Sequence, residues 1–314
     1  MPKIVGLLVG LEETFPGPFL DMVTAKGREH GIKGEMVELA GTPELEEPRY
    51  SVIVDRISHE IPYYRAYLKH ASLQGTVVVN DPFWWEADEK FFECTLARKV
   101  GVAVPRTVAL PNKDYIPEID LQRSLRNVRE PDWEAIVRYT GLPVVMKPNK
   151  GGGNKDIHVC NTVEGLVAAY QGVGIKGMIV QELIDYDDYV RCICIGREHV
   201  LPLRYHHRLP RPERYRVDDP PVGALRDAAI ASAMKLVQAL GYDMDTVEMA
   251  VKDGTLYAID FLNPAPDLGR ESIKEEAFQW AIGHLSDLVI AYATGETIPP
   301  WHHEHRWWRY VGAD

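Results

Sequence analysis

Leu142-Pro-Val-Val-Met-Lys147-Pro-Asn-Lys150-Gly-Gly-Gly153 is the stretch on which the reading of this chain turns. A short apolar run, read as a buried strand over 142–147, ends in a lysine, and a glycine turn follows. Glycines let backbone N–H groups approach an anion closely, so a strand-end lysine followed by such a turn suits the phosphates of a nucleotide. It is not a Walker-type loop, because the lysine precedes the glycines and no Gly-Lys-Ser/Thr follows. A surface turn after a strand has the same pattern, so neighbouring stretches must decide.

One is Thr246-Val-Glu248-Met-Ala-Val-Lys-Asp-Gly-Thr-Leu-Tyr-Ala-Ile-Asp260-Phe-Leu-Asn263-Pro-Ala-Pro-Asp267. Two apolar strands flank a Lys252-Asp-Gly254 turn, and Glu248 and Asp260 interrupt them. Two carboxylates and the Asn263 carbonyl are hard oxygen ligands of the kind that hold Mg²⁺. Acids at sheet edges paired with Lys or Arg are the alternative. The other stretch is Met178-Ile-Val-Gln181-Glu182-Leu183-Ile184, followed by Asp185, Asp187 and Asp188. An extended hinge offers backbone donors and acceptors to an adenine edge, and an acid there can bind ribose hydroxyls.

Around these stretches the chain alternates strand and helix patterns. Strands are predicted over 3–9, 35–39, 51–55 and 76–79, with helices over 19–29 and 62–72, which describes an α/β unit with a parallel sheet. An amphipathic helix over 87–100 ends at Gly101, a strand ends at Pro111, and a short helix lies near 132–139. After the glycine turn come a strand to Val159, a helix and the 178–181 strand. Longer strands over 190–195 and 199–205, a helix over 222–240, the hairpin, and a helical stripe from 278 to 292 stopped by Gly295 complete the pattern. These patterns divide the chain into 1–85, 86–185, 186–298 and a tail, 299–314.

The 314 residues carry 35 Lys and Arg against 46 Asp and Glu, a formal charge of −11, with 46% hydrophobic residues. This excludes a disordered or fibrous chain and argues against a general nucleic-acid role unless a local basic patch overrides the average. No apolar run reaches the ~20 residues of a membrane span. Cys94, Cys160, Cys192 and Cys194 form no Cys-x-x-Cys pair and read as small buried side chains in a reducing, cytoplasmic protein.

Taken in order, these features resemble the ATP-grasp superfamily from about residue 3 to 295, nearest in character to RimK-type and amino-acid ligases. The resemblance implies an α/β fold in which 1–85 is a Rossmann-like pre-ATP-grasp domain, 86–185 a linker helix and lid subdomain, and 186–298 a C-terminal antiparallel-sheet subdomain. Lys90 and Lys147 are similar to the two nucleotide-binding lysines, and Gly151, Gly152 and Gly153 to the loop over the phosphates. Gln181, Glu182, Leu183 and Ile184 are similar to the adenine hinge, with Asp188 beyond it, and Glu248, Asp260 and Asn263 to the magnesium triad. The family usually carries Glu-x-Asn on its last metal strand, whereas here Phe261 stands two before Asn263. Strict alternation would turn Asp260 and Asn263 to opposite faces, so joint coordination needs a bulge or a strand end near Phe261, with Asp267 as a spare ligand.

The activity implied is ATP- and Mg²⁺-dependent carboxylate–amine ligation, with two Mg²⁺ ions, through an acyl phosphate. A non-catalytic ATP-binding protein and an ATP-grasp kinase are the alternatives. Small acid and amine substrates are the expected partners, without nucleic acid or membrane, and a homo-oligomer is compatible with this reading. Arg191 resembles the family arginine near the γ-phosphate, and Arg204 is the strand-proximal member of a five-arginine run, 204–216, that could grip an anion; a solvated loop with mixed partners is the alternative. Arg56, His59, Tyr63 and Arg65 follow a strand and open a helix, where α/β sheets bind ligands, and could hold a substrate carboxylate; a packed loop with Arg56 paired to a local acid is the alternative. The tryptophan- and histidine-rich tail, 301–308, reads as a docked segment rather than a metal site, and Trp84 and Trp85 as packing.

Overall fold

Proline in the first turn, where a missing N–H costs nothing, starts two helices near the beginning of the chain, α1 (Pro16–Gly27) and α2 (Pro62–Leu73). A computed structural model of the chain describes residues 3–83, 89–119, 125–151, 156–263, 265–297 and 299. The two helices connect strands β1 (Lys3–Leu8), β2 (Ile32–Met36), β3 (Val52–Asp55) and β4 (Val77–Val79), which form a parallel sheet in the order β2-β1-β3-β4. Ile4, Leu8, Ile53 and Val78 pack with Tyr67, Leu68 and Ala71 of α2 on one side. The second strand lies earlier than the predicted 35–39. Val37 and Leu39 do pack on this core, but from the segment just past the strand end.

The chain folds as two compact units, 1–86 with 189–249 and 261–314, and 87–188 with 250–260. The second unit contains α3 (Lys90–Lys99), β5 (Thr107–Ala109), α4 (Trp133–Thr140), β6 (Val144–Pro148), β7 (His158–Cys160), α5 (Val163–Gln171) and β8 (Met178–Glu182). Side chains cap two of its helices: Asp132 accepts from Ala135 N at 2.9 Å and Thr162 from Gly165 N at 3.1 Å. Its strands form an antiparallel sheet, β5-β8-β6-β7.

The remaining strands are β9 (Asp188–Ile195), β10 (His199–Tyr205), β11 (Tyr215–Arg216), β12 (Met244–Lys252) and β13 (Thr255–Asp260), in the order β11-β10-β9-β12-β13. Asp253 and Gly254, with φ of 50° and 73°, make the predicted hairpin turn, the positive-φ pair that matches strand twist. Helices α6 (Gly223–Leu240) and α7 (Arg270–Thr294) each stop at a left-handed glycine, Gly241 and Gly295. No helix among the described residues is long and apolar enough to cross a membrane.

Candidate active site

Alternation along β6 and β8 sorts the second unit's sheet into two chemically different faces. Val144, Met146, Met178 and Val180 pack with Ile136, Leu166 and Tyr170 of the helices. The opposite face carries Lys147 and Gln181, which the register pairs with Ile179 and Thr107. Gln181 Nε2 donates to Thr107 Oγ1 at 3.0 Å and lies 3.6 Å from Cys94 Sγ of α3. Lys147 is buried, and among the described residues its ammonium makes one hydrogen bond, 3.5 Å to Ile259 O. Burial pushes its pKa below the usual lysine value; the Asp260 carboxylate pulls it back up, and Lys90 pushes it further down. A buried cation with one long bond to a carbonyl is poorly compensated, and an anion at this position would compensate it.

Lys90 opens α3, and its Nζ donates to Gly151 O at 2.6 Å. Asn149 holds the same turn, accepting from Lys90 N at 3.0 Å with its carbonyl and from Phe91 N at 2.9 Å with its side chain. Gly151 has φ +90°, which a side chain would strain. Gly152 and Gly153 fall outside the described residues, as do Trp84, Trp85 and the 301–308 tail. At the hinge, Glu182 receives a bidentate Arg106 at 2.9 and 3.1 Å. Burial raises the Glu182 pKa, Arg106 lowers it, and the net shift is downward. Leu183 is partly exposed and Ile184 buried, while Asp188 begins β9.

In the first unit, Arg191 and Leu203 face each other across β9 and β10, as do Val190 and Arg204. Paired residues share a face, so Arg191 and Arg204 point to opposite sides of the sheet. Arg191 lies on the side of Tyr205 and Tyr215, its guanidinium 5.0 and 5.6 Å from their ring centroids. It reaches Thr246 Oγ1 at 3.0 Å and approaches Glu248 Oε1 at 3.4 Å, while Tyr189 donates its hydroxyl to Glu248 Oε2 at 2.7 Å. Arg204 instead pairs with Asp219 at 2.8 Å, on the side where Cys192 Sγ meets Ala229 O of α6. The structure therefore does not bring the two arginines together.

Asn263 belongs to the Arg191 cluster: its Nδ2 donates to Thr246 Oγ1 at 3.0 Å and its N–H to Asp245 Oδ1 at 2.9 Å. Asp260 belongs to the second unit, beside Lys147. β13 ends at Asp260 and Phe261 is buried, so strand alternation does not carry on to Asn263. Two carboxylates and an amide oxygen match the hard donors that magnesium takes. Among the described residues no group of three His, Cys, Asp or Glu is placed to hold a metal ion. Asp267 accepts from Ser272 Oγ at 2.8 Å and Gly269 N at 3.1 Å, at the start of α7.

The strand order of the parallel sheet switches between β1 and β3, where α/β sheets open a crevice at their carboxyl ends. Buried Asp55 shapes the segment after β3, accepting from Ile57 N at 3.1 Å and Ser58 N at 2.9 Å. Arg56 is buried and engaged bidentately by Glu12, with further contacts to Pro266 O and Met244 Sδ. The packed-loop alternative expected a local acid here, whereas the acid that holds Arg56 is Glu12, 44 residues earlier. His59 is exposed, and partial desolvation by its neighbours pushes its pKa below the usual histidine value, which favours the neutral ring near pH 7. Tyr63 is partly exposed and donates to Ala40 O, while Arg65 follows on the first turns of α2.

No protein-family model matches the chain. A D-alanine–D-alanine ligase from Polynucleobacter asymbioticus is 25% identical over 177 residues, which are 51% of this chain and 52% of that protein. The chain thus spans about half the length of the curated relative it matches. A RimK-domain ATP-grasp protein from Sphaerobacter thermophilus matches with a TM-score of 0.64 and 17% identity, over 90% of this chain and 98% of its own.

The chain has the ATP-grasp fold.

Two further ATP-grasp structures agree. The D-alanine–D-alanine ligase from Bacillus anthracis has a TM-score of 0.62 at 14% identity, covering 94% of this chain and 98% of that one. The ATP-grasp ligase PsnB, complexed with minimal precursor, Mg and ADP, has 0.56 at 16%, covering 92% and 98%.

Within this ATP-grasp fold, several polar residues were missed by sequence reasoning: Glu12, Asn149, Tyr189, Tyr215 and Thr246. Alternation carried a signal for two of them, since Tyr189 lies two before Arg191 and Thr246 two before Glu248. Tyr215, fully enclosed, has no hydrogen-bond partner for its hydroxyl among the described residues, and burial pushes its pKa up.

Proposed function

We propose that this chain is an ATP- and Mg²⁺-dependent ligase joining the carboxylate of an amino acid or small peptide to an amine. The observation that carries this reading is the buried, poorly compensated Lys147 ammonium, with Lys90 fixed at the adjoining glycine turn. Two cations beside a glycine turn favour a bound polyphosphate. The 181–184 hinge offers its backbone to an adenine, and Asp188 an oxygen to the ribose. Glu248, Asp260 and Asn263 are the residues proposed to hold two Mg²⁺ ions, which supply charge neutralisation at the phosphates.

In this reading a substrate carboxylate oxygen attacks the γ-phosphorus as the bond to ADP breaks. Lys90, Lys147 and Arg191 stabilise the charge on the transferred group. The amine lone pair then attacks the acyl carbon, the bond to phosphate breaks, and the amine gives up a proton, for which neutral His59 is an available base. Tyr63 and Arg65 are proposed to orient the acid. Arg56 positions the same segment through Glu12, and Arg204 steadies the 206–219 segment through Asp219. Four free cysteines and an ATP substrate support a cytoplasmic setting.

The test is Mg²⁺-dependent release of ADP and phosphate with pools of acids and amines. Lys147→Ala and Asp260→Ala should each nearly abolish release while far-UV circular dichroism is unchanged. An absence of nucleotide binding in the wild-type chain sinks the proposal. Buried Phe261 in the usual glutamate slot favours one other reading, a non-catalytic ATP-binding protein, which nucleotide binding without product from any acid and amine pair would support.

A further inference from the structure

The segment joining β10 to β11 is basic, exposed and internally bonded. His206 N donates to Arg214 O at 2.9 Å, continuing the pairing of Arg204 with Arg216 and of Tyr205 with Tyr215. Inside it, Leu209 N donates to His206 O at 3.0 Å, Glu213 N to Pro210 O at 2.9 Å, and Arg214 Nε to Leu209 O at 2.9 Å. Lys274, at the positive-φ kink within α7, donates to Pro212 O. His207 sets its ring edge-on to Tyr189 at 5.5 Å, the tyrosine that holds Glu248. The loop is thereby tied to the face that carries Arg191.

The charges on this loop are unbalanced. Asp219 and Asp218 pair with Arg204 and Arg216, at 2.8 and 3.2 Å, which in the sequence leaves Arg208, Arg211 and Arg214 with a single acid, Glu213. Among the described residues neither Arg208 nor Arg214 has a carboxylate partner, and Arg208 is exposed. On a chain of net charge −11, this surplus is a local positive patch against an acidic average, and its field draws a small anion to the loop. A single carboxylate would use one guanidinium, and the surplus exceeds that. Tyr205 and Tyr215 at the loop's base are buried and Leu209 is 37% exposed, while the chain's charge of −11 disfavours the long phosphate backbone of a nucleic acid.

We propose that the 206–214 loop is the docking surface for a peptide substrate carrying several carboxylates, held by Arg208 and Arg214 beside the Arg191 face. This deepens the ligase reading above and rests on it. Electrostatic docking of this kind raises association rate and falls with salt.

The experiment measures binding of labelled oligo-glutamate and oligo-glutamine peptides of equal length to the full chain by fluorescence anisotropy, at low and high salt. Oligo-glutamate is expected to bind at least ~10-fold tighter and to weaken with salt, with Arg208→Glu removing the preference and Arg208→Lys keeping most of it. Arg208 makes no hydrogen bond among the described residues, so its replacement leaves the loop's internal bonds in place; Arg214→Glu is the second variant. Equal binding of the two peptides, no loss in Arg208→Glu, or tighter binding of an oligo-uridine RNA than of oligo-glutamate overturns the proposal. ADP release with free amino acids, measured in parallel, separates the two readings: peptide binding without nucleotide turnover counts against the ligase and not the surface.

Discussion

Arg191 and Glu248 meet on one face of the long-stranded sheet, the guanidinium Nε 3.4 Å from the carboxylate Oε1, while the Tyr189 hydroxyl takes the other oxygen at 2.7 Å. A carboxylate held from both sides keeps its orientation without a ligand, which suits a metal ligand. Glu248→Gln should preserve the shape and remove the charge. The expected result is a loss of ~10²-fold or more in Mg²⁺-dependent ADP release, with a stability cost of about 1–3 kcal/mol in urea titration. Unchanged Mg²⁺ dependence would remove Glu248 from the metal set.

Thr246 Oγ1 accepts from both Arg191 Nη2 and Asn263 Nδ2, each at 3.0 Å. Thr246→Val keeps the volume and deprives two donors of their acceptor, so stability should fall by about 1–3 kcal/mol. kcat should fall more than the KM for ATP changes, and Thr246→Ser should restore both. A valine variant as active as the wild type would show that the shared hydroxyl positions nothing.

Lys147 is charged more readily in the unfolded chain than in the fold, because burial lowers its folded pKa below 10.5. Between those two values the unfolded chain binds more protons, so stability rises with pH across that window. Lys147→Met, which removes the buried charge, should melt higher than the nucleotide-free wild type at neutral pH, the gap closing as pH approaches the lysine range. Its melting temperature should no longer respond to ATP. A variant that melts lower at every pH would mean the ammonium is better compensated than its one long hydrogen bond indicates.

Asp243 shows the opposite sign. Burial pushes its pKa up from 3.8 to about 7, against the pull of Arg197 at 3.1 Å and the Tyr292 hydroxyl at 2.7 Å. A raised folded pKa favours the protonated form in the fold, so the associated stability is full below the unfolded value and is lost as pH rises through about 7. Asp243→Asn should abolish that decline, a difference on the order of a few kcal/mol between acid and neutral pH. Parallel melting curves for the two proteins over this range would refute it.

Most elements were legible because they rest on local signals: apolar periodicity, glycines at helix ends and the Asp253-Gly254 turn; the prolines that start α1 at Pro16 lie ahead of the helix start predicted at 19. The strand over 32–36 was misplaced because Val37 and Leu39 are apolar and pack on the core without belonging to it, while Gly34 inside it resembles a breaker. Gly34 is there for space, since a Cβ would lie 2.9 Å from Leu20 O. At the site, the lysine and glycine turn could be read because their chemistry is unusual for a strand end. Which arginine shares a face with Glu248 could not, because it depends on a register that pairs Arg191 with Leu203 rather than Arg204. Glu12 was invisible for a similar reason, as its partner Arg56 is 44 residues away.

The chain crosses between its two units four times, and residues 250–260 complete the unit begun at 87. Ala258 N donates to Ala103 O at 2.8 Å, so the last strand of that unit joins a segment made about 150 residues earlier. During synthesis neither unit can finish before the hairpin has emerged. A ribosome paused anywhere between 188 and 250 therefore holds two incomplete cores at once, and no single cut in the chain yields either unit whole.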